Sequence, residues 1–218
     1  MLIIFDLDGT LIDSAEDLAI SMNATRQYFG MPALDPAVIN SYVGNGAAVL
    51  VRRGLGTDAS DALVAEGLEF FLKYYRRHAL EHTQLYPGIR ELVEELSAKG
   101  HELAVLTNKP VKISVDIVGG LGLGKHFPRV YGGDSFPRKK PDGIGIATLM
   151  SEADFSTDET LMVGDSGVDI QTARNAGVRS CGVAWGFQPE AFQIDVPDVV
   201  IREPRDLLSV VLGVAGRA

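Results

Sequence analysis

Two aspartates, Asp6 and Asp8, stand one residue apart in the stretch LIIFDLDGTLID, after the apolar run Leu2 to Phe5 and before Gly9 and Thr10. Paired carboxylates can hold a hard divalent cation, and one of them can serve as a nucleophile. Three readings compete. A calcium-binding loop needs glycine at its sixth position; counted from Asp6 that position is Leu11, so the spacing excludes it. A polar turn capping the next helix is the bland reading. The third is topological: open α/β sheets bind ligands beyond the C-terminal ends of their strands, and Asp6 sits at that end of the first apolar run.

Other strand ends carry matching chemistry. Leu103 to Leu106 runs into Thr107-Asn108-Lys109-Pro110, where a hydroxyl and an amide can hold phosphate oxygens. Lys140-Pro141 precedes a helical segment. Leu161 to Val163 runs into GDSGVDIQTA, where Asp165 and Asp169 can share one face of a helix start. Each signal alone is ordinary: a surface lysine, a loop, a helix N-cap. Their joint occurrence in this order is not.

The elements that must position these residues follow from periodicity. Strands are expected at Leu2–Phe5, Leu103–Leu106, Val130–Tyr131, Leu161–Val163, Cys181–Trp185 and Val199–Ile201, with helices such as Arg90–Lys99 and Gly167–Ala176 between them. This alternation predicts an α/β fold with a Rossmann-like, mainly parallel sheet. Residues 15–85 break the pattern. They contain no convincing strand and read as helices at Glu16–Phe29, Pro36–Tyr42 with Asp35 as N-cap, Ala47–Gly54 and Ser60–His78. Tyr86-Pro87-Gly88 then reads as a hinge or turn. The expected division is an α/β core of residues 1–14 and 86–218 and an inserted all-helical cap of residues 15–85.

Composition limits the partners. The 218 residues are 46% apolar and 22% charged, with a net charge of −9 that disfavours nucleic acid and anionic membranes. An anionic metabolite is not excluded, because a bound metal and one lysine can reverse the field locally. No apolar run is long enough for a membrane span and no basic leader is visible. Cys181 is the single cysteine and no internal disulfide can form; a reducing cytoplasm is the expected location.

The motifs FDLDGT, LTNKP, KKP and GDSGVD resemble the four motifs of the haloacid dehalogenase superfamily of phosphohydrolases, and the helical stretch between the first two resembles the family's type 1 cap. YVGNGA, TNKP, the GGD before KKP and GDSGVDIQTARNAG are most similar to the phosphoglycolate phosphatases within it. KKPDGIGIA departs from the usual pattern by lacking a second nearby proline. The resemblance implies a small phosphorylated metabolite as substrate and Mg²⁺ as cofactor. It implies that Asp6 is the nucleophile and Asp8 the general acid and base. Lys140 and Thr107 would stabilise the transferring group, and Asn108 and the backbone around Gly9 and Thr10 would help to bind it. The metal group would be Asp6, the carbonyl of Asp8, Asp165 and Asp169, the last of them orienting Lys140 or a metal-bound water.

The rivals on this core are weaker. The family's dehalogenases lack the second aspartate. Its phosphonate hydrolases need a cap lysine, and residues 15–85 hold only Lys73. A mutase such as β-phosphoglucomutase needs a basic cap loop where this chain has Gly44-Asn45-Gly46, although Arg52 and Arg53 follow. A sugar-phosphate phosphatase shares the whole core, and an inactive binding protein would not need all five core positions. In the cap, Asn45 is a candidate helix cap, and Gly44 and Gly46 let a helix N-terminus approach a substrate carboxylate; the alternative is a plain interhelical turn. GLGLG at 120–124 reads as a helix stop, the four histidines are scattered, and Phe70, Phe71, Tyr74 and Tyr75 read as cap packing. Oligomeric state is not indicated.

Overall fold

The computed structural model describes residues 1–215. Strands β1 (Leu2–Phe5), β2 (Ile12–Asp13), β3 (Gln84–Leu85), β4 (Glu102–Leu106), β5 (Arg129–Tyr131), β6 (Thr160–Gly164), β7 (Arg179–Val183) and β8 (Val199–Ile201) alternate with helices. These are α1 (Ala15–Tyr28), α2 (Pro36–Asn40), α3 (Ala47–Leu55), α4 (Asp61–His78), α5 (Ile89–Ala98), α6 (Val111–Gly120), α7 (Ile144–Ala153), α8 (Gly167–Ala176) and α9 (Asp206–Ala215). Six strands form one parallel sheet in the order β5-β4-β1-β6-β7-β8. The chain winds outward in both directions from β1, and the crevice where connections diverge is the place such sheets use for ligands.

β1 is apolar at every position because both of its faces are covered. Ile3 and Phe5 pack on the side of α5 and α6, against Leu92, Val93 and Ile117, while Leu2 and Ile4 face Ile146, Leu149 and Ala173 of α7 and α8. The strand ends abruptly at Asp6, whose N–H still donates to the Val163 carbonyl. Buried carboxylates there are held on a fully packed strand rather than a mobile loop.

The helices α1 to α4 pack on one another between β2 and β3. Their caps follow the sequence: Asp35 accepts the Ala37 N–H and Ser60 accepts the Leu63 N–H. Two details differ from expectation. β3 lies at the end of the stretch read as strand-free and pairs antiparallel with β2; two-residue strands are too short to show alternation. β7 begins and ends two residues before the expected Cys181–Trp185, because Trp185 leaves the sheet so that its indole N–H can donate to the Thr10 carbonyl. Where the helical insert leaves and rejoins the sheet-bearing part, the buried Asp17 carboxylate accepts the backbone N–H groups of His82 and Thr83, the Thr83 hydroxyl and a His82 ring nitrogen. Burial opposes its ionisation, but these donors hold its pKa below the ordinary carboxylate value. No helix among the described residues is long and apolar enough to cross a membrane.

Candidate active site

The C-terminal ends of β1, β4 and β6 place Asp6, Thr107 and Asp165 around one point, and Lys140, from the loop that follows β5, and Asp169, in the first turn of α8, close it. All five are nearly inaccessible to solvent. Lys140 Nζ lies 2.9 Å from Asp6 Oδ1 and 2.6 Å from Asp169 Oδ1. Among the described residues the donors to Asp6 all fall on Oδ1, which takes Lys140 and the N–H of its neighbour Leu7 at 2.7 Å, and none falls on Oδ2.

Asp6, Asp165 and Asp169 offer oxygens within 4.8 Å of one another. Three carboxylates against one ammonium leave an uncompensated negative charge in a dry site. Burial, with Asp169 and Asp8 adding repulsion against the pull of Lys140, raises the pKa of Asp6 to about 6. Burial, with repulsion from Asp169 and Asp6, raises that of Asp165. Lys140 would be depressed by burial, but Asp169 and Asp6 together hold it above the usual lysine value. A divalent cation fits this donor set. Asp165 is held by the Phe187 N–H at 2.7 Å and, weakly, by the Thr10 hydroxyl at 3.4 Å. No backbone hydrogen bond falls on the Asp8 carbonyl among the described residues. Asp169 is different: its Oδ1 takes Lys140 and its Oδ2 takes the N–H and hydroxyl of Ser166. With both oxygens engaged, Asp169 is placed to orient Lys140, as the resemblance implied, while one of its oxygens also lies within 4.8 Å of those of Asp6 and Asp165.

Gly9 and Thr10 shape the turn rather than face the cavity. Gly9 has φ +78°, and a Cβ there would collide with the Asp165 carboxylate. The N–H groups of both residues already donate within the turn, to the carbonyls of Ile12 and Leu7. Asn108 acts as a tie, donating through Nδ2 to the carbonyls of Gly44 and Lys140 at 3.0 and 3.1 Å. The α3 cap is Gly46, with φ +86°, and not Asn45, as the sequence suggested. Gly44 and Gly46 line the cavity above Asp6, whereas Asn45 lies at a separate surface opening beside Arg53 and Gln188. In KKPDGIGIA, Asp142 accepts the Ile144 N–H at the start of α7.

Several partners escaped the sequence reading. Asp8 Oδ1 accepts the Ser14 hydroxyl and the Lys109 ammonium, both at 2.6 Å. Lys109 sits in the same TNKP stretch that flagged Thr107, but its partner lies 101 positions away and no local pattern pairs them. Three side chains from three separate loops also hold three consecutive carbonyls of the insert: Gln188 on Val43, Asn108 on Gly44 and Lys139 on Asn45, at 2.7, 3.0 and 2.6 Å.

The parallel sheet, the helical insert and this carboxylate-lysine constellation are those of a haloacid dehalogenase-like hydrolase. That family's model matches residues 3–183, and the chain belongs to the family. It is 41% identical to the phosphoglycolate phosphatase of Vibrio parahaemolyticus over 96% of this chain and 95% of that one, and 40% identical to the phosphoglycolate phosphatase of Chromobacterium violaceum over 84% of each. Among solved structures, a predicted phosphoglycolate phosphatase from Haemophilus somnus superposes with a TM-score of 0.90 at 32% identity, covering 96% of both chains. A haloacid dehalogenase-like hydrolase from Streptococcus pneumoniae superposes with a TM-score of 0.85 at 26% identity, covering 96% of this chain and 97% of that one.

Proposed function

We propose that the protein is a Mg²⁺-dependent phosphatase of small phosphate monoesters that hydrolyses 2-phosphoglycolate to glycolate and phosphate through a phosphorylated Asp6. The observation that carries the chemistry is the asymmetry at Asp6: one oxygen is fixed by Lys140 and the Leu7 N–H, and the other takes no donor among the described residues. The names of the relatives supply the substrate. In the first half-reaction Asp6 Oδ2 bonds to phosphorus, the ester P–O bond breaks, and the Asp8 carboxyl gives its proton to the departing oxygen. In the second, a water oxygen bonds to phosphorus as Asp8 takes its proton, and the Asp6–phosphorus bond breaks to release phosphate. Lys140 holds Asp6 and places positive charge beside the transferring group, and the Thr107 hydroxyl is free to donate to a phosphate oxygen. Asp6, Asp165 and the Asp8 carbonyl would hold Mg²⁺, which supplies the charge that lets two anions meet. The α1–α4 insert serves as the cap that keeps bulk water out.

A panel of small phosphate esters, assayed for phosphate release with Mg²⁺ and with a chelator, tests this. Release from 2-phosphoglycolate that exceeds the other esters and stops on chelation is expected. Chelator-resistant turnover would remove the metal from the mechanism, and preference for a sugar phosphate would remove the substrate.

A further inference from the structure

Lys109 is a buried ammonium whose hydrogen-bonding capacity the protein does not use up. Only 6% of the residue is exposed; its Nζ donates to Asp8 Oδ1 and lies 4.6 Å from the centre of the Tyr75 ring. An ammonium has three N–H donors; Asp8 takes one and the contact with Tyr75 takes no more than a second, so at least one is left for a ligand. Next to it the Tyr75 hydroxyl, on a residue that is 1% exposed, has no hydrogen-bond partner among the described residues. Both residues line the narrow cavity that holds Asp6, Asp8 and Thr107. Lys109 is the single cationic side chain in that lining, and the wall opposite the carboxylates is apolar, with Leu18, Leu50, Phe71 and Leu72.

We propose that Lys109 and Tyr75 form the subsite that reads the non-phosphate end of the substrate, and that what they read is a carboxylate on the carbon bearing the ester oxygen. This rests on the phosphatase reading above and moves recognition of the carboxylate from the glycine loop at 44–46 to the junction of the TNKP loop with α4. An unpaired carboxylate is strongly excluded from an apolar wall, so it must lie at the one place where a cation and an unused hydroxyl meet. Asp8 does not lose its only donor when Lys109 turns its remaining N–H groups to the substrate, because Ser14 holds the same oxygen. A sugar in this place would leave most of its hydroxyls without partners. The cavity volume of 40 Å³ fits a compact group, since a single water needs roughly 10–15 Å³ on the same measure.

The test is binding to the Asp6→Asn protein with Mg²⁺, in which ligand is not turned over, by titration calorimetry. The probes are 2-phosphoglycolate and ethyl phosphate, which carries a methyl in place of the carboxylate. The parent should prefer 2-phosphoglycolate by at least about 100-fold. Adding Lys109→Met should shrink that ratio below about tenfold, and adding Tyr75→Phe should shrink it about three- to tenfold. Tyr75→Phe removes a hydroxyl without a partner, so it folds even where loss of the Lys109 charge does not. A ratio near one in the parent, a ratio untouched by Tyr75→Phe, or equal losses on both ligands with Lys109→Met would overturn the subsite. Turnover is a separate readout. A wild-type enzyme that prefers another phosphorylated carboxylic acid, with the same collapse of ratio in the variants, keeps the subsite and discards 2-phosphoglycolate as substrate.

Discussion

Asp6 and Asp169 both contact Lys140, yet they do different work, and substitution should separate them. Asp6→Asn keeps the shape and loses the nucleophile; kcat should fall by at least about 10³-fold with the circular dichroism spectrum retained. Asp169→Asn leaves the nucleophile intact but removes half of the Lys140 clamp and weakens the Ser166 turn. Its kcat should fall about 10–100-fold, in the range found for groups that orient catalytic ones. Comparable losses in the two variants would put Asp169 in the chemistry itself. The residues that carry charge at strand ends were legible because strand, turn and side chain occur together locally. Lys109, Ser14 and Tyr75 were not, since their roles depend on which segments the fold brings side by side. Asn45 was misplaced as a helix cap for a local reason: the chain turns one residue later, at Gly46, where a positive φ is tolerated without strain.

At the level of elements, helices announced themselves through their ends. Asp35 caps α2 where expected, Ser60 at the start of the expected Ser60–His78 helix caps α4, and Gly177, just past the expected Gly167–Ala176, takes the left-handed conformation that closes α8. The β2–β3 pair that tethers the insert left no pattern, because pairing of two residues with two is specified by the packing around it. The contact of the insert with the sheet was equally silent: three donors from the loops after β4, β5 and β7 meet the carbonyls of residues 43–45. Each such bond contributes about 0.5–1.5 kcal/mol. Gln188→Leu, which lies outside the reacting groups, should therefore loosen closure modestly. KM for a small substrate should rise about two- to tenfold while kcat changes less, and a bulky ester such as p-nitrophenyl phosphate should gain relative to it. A KM unchanged on both substrates would reduce the three bonds to surface ties.

Across the whole molecule, the site is a place where the fold accepts cost. Asp6 and Asp165 are buried, with pKa values raised first by burial and then by neighbouring carboxylates. For such an acid the sign is fixed. In the unfolded chain it ionises near its ordinary value of 3.8, while the folded protein keeps the proton until a higher pH, about 6 for Asp6. Stability from Asp6 is thus fully present below about pH 4 and is lost as pH rises through about 6, and the raised pKa of Asp165 acts in the same direction. Above that, the metal-free protein confines repelling charges that a divalent cation would neutralise. Melting followed by calorimetry should show a larger Mg²⁺-induced rise in Tm at pH 7.5 than at pH 5, and for a chain of this length each kcal/mol corresponds to about 2–4 °C. Asp165→Asn removes one of the repelling charges while keeping the shape. In chelator at pH 7.5 it should melt above the wild type, and Mg²⁺ should no longer raise its Tm appreciably. A wild type whose Tm gain from Mg²⁺ is the same at pH 5 and pH 7.5, or an Asp165→Asn protein that melts lower in chelator, would show that the carboxylates are tolerated for reasons other than a cation they are built to hold.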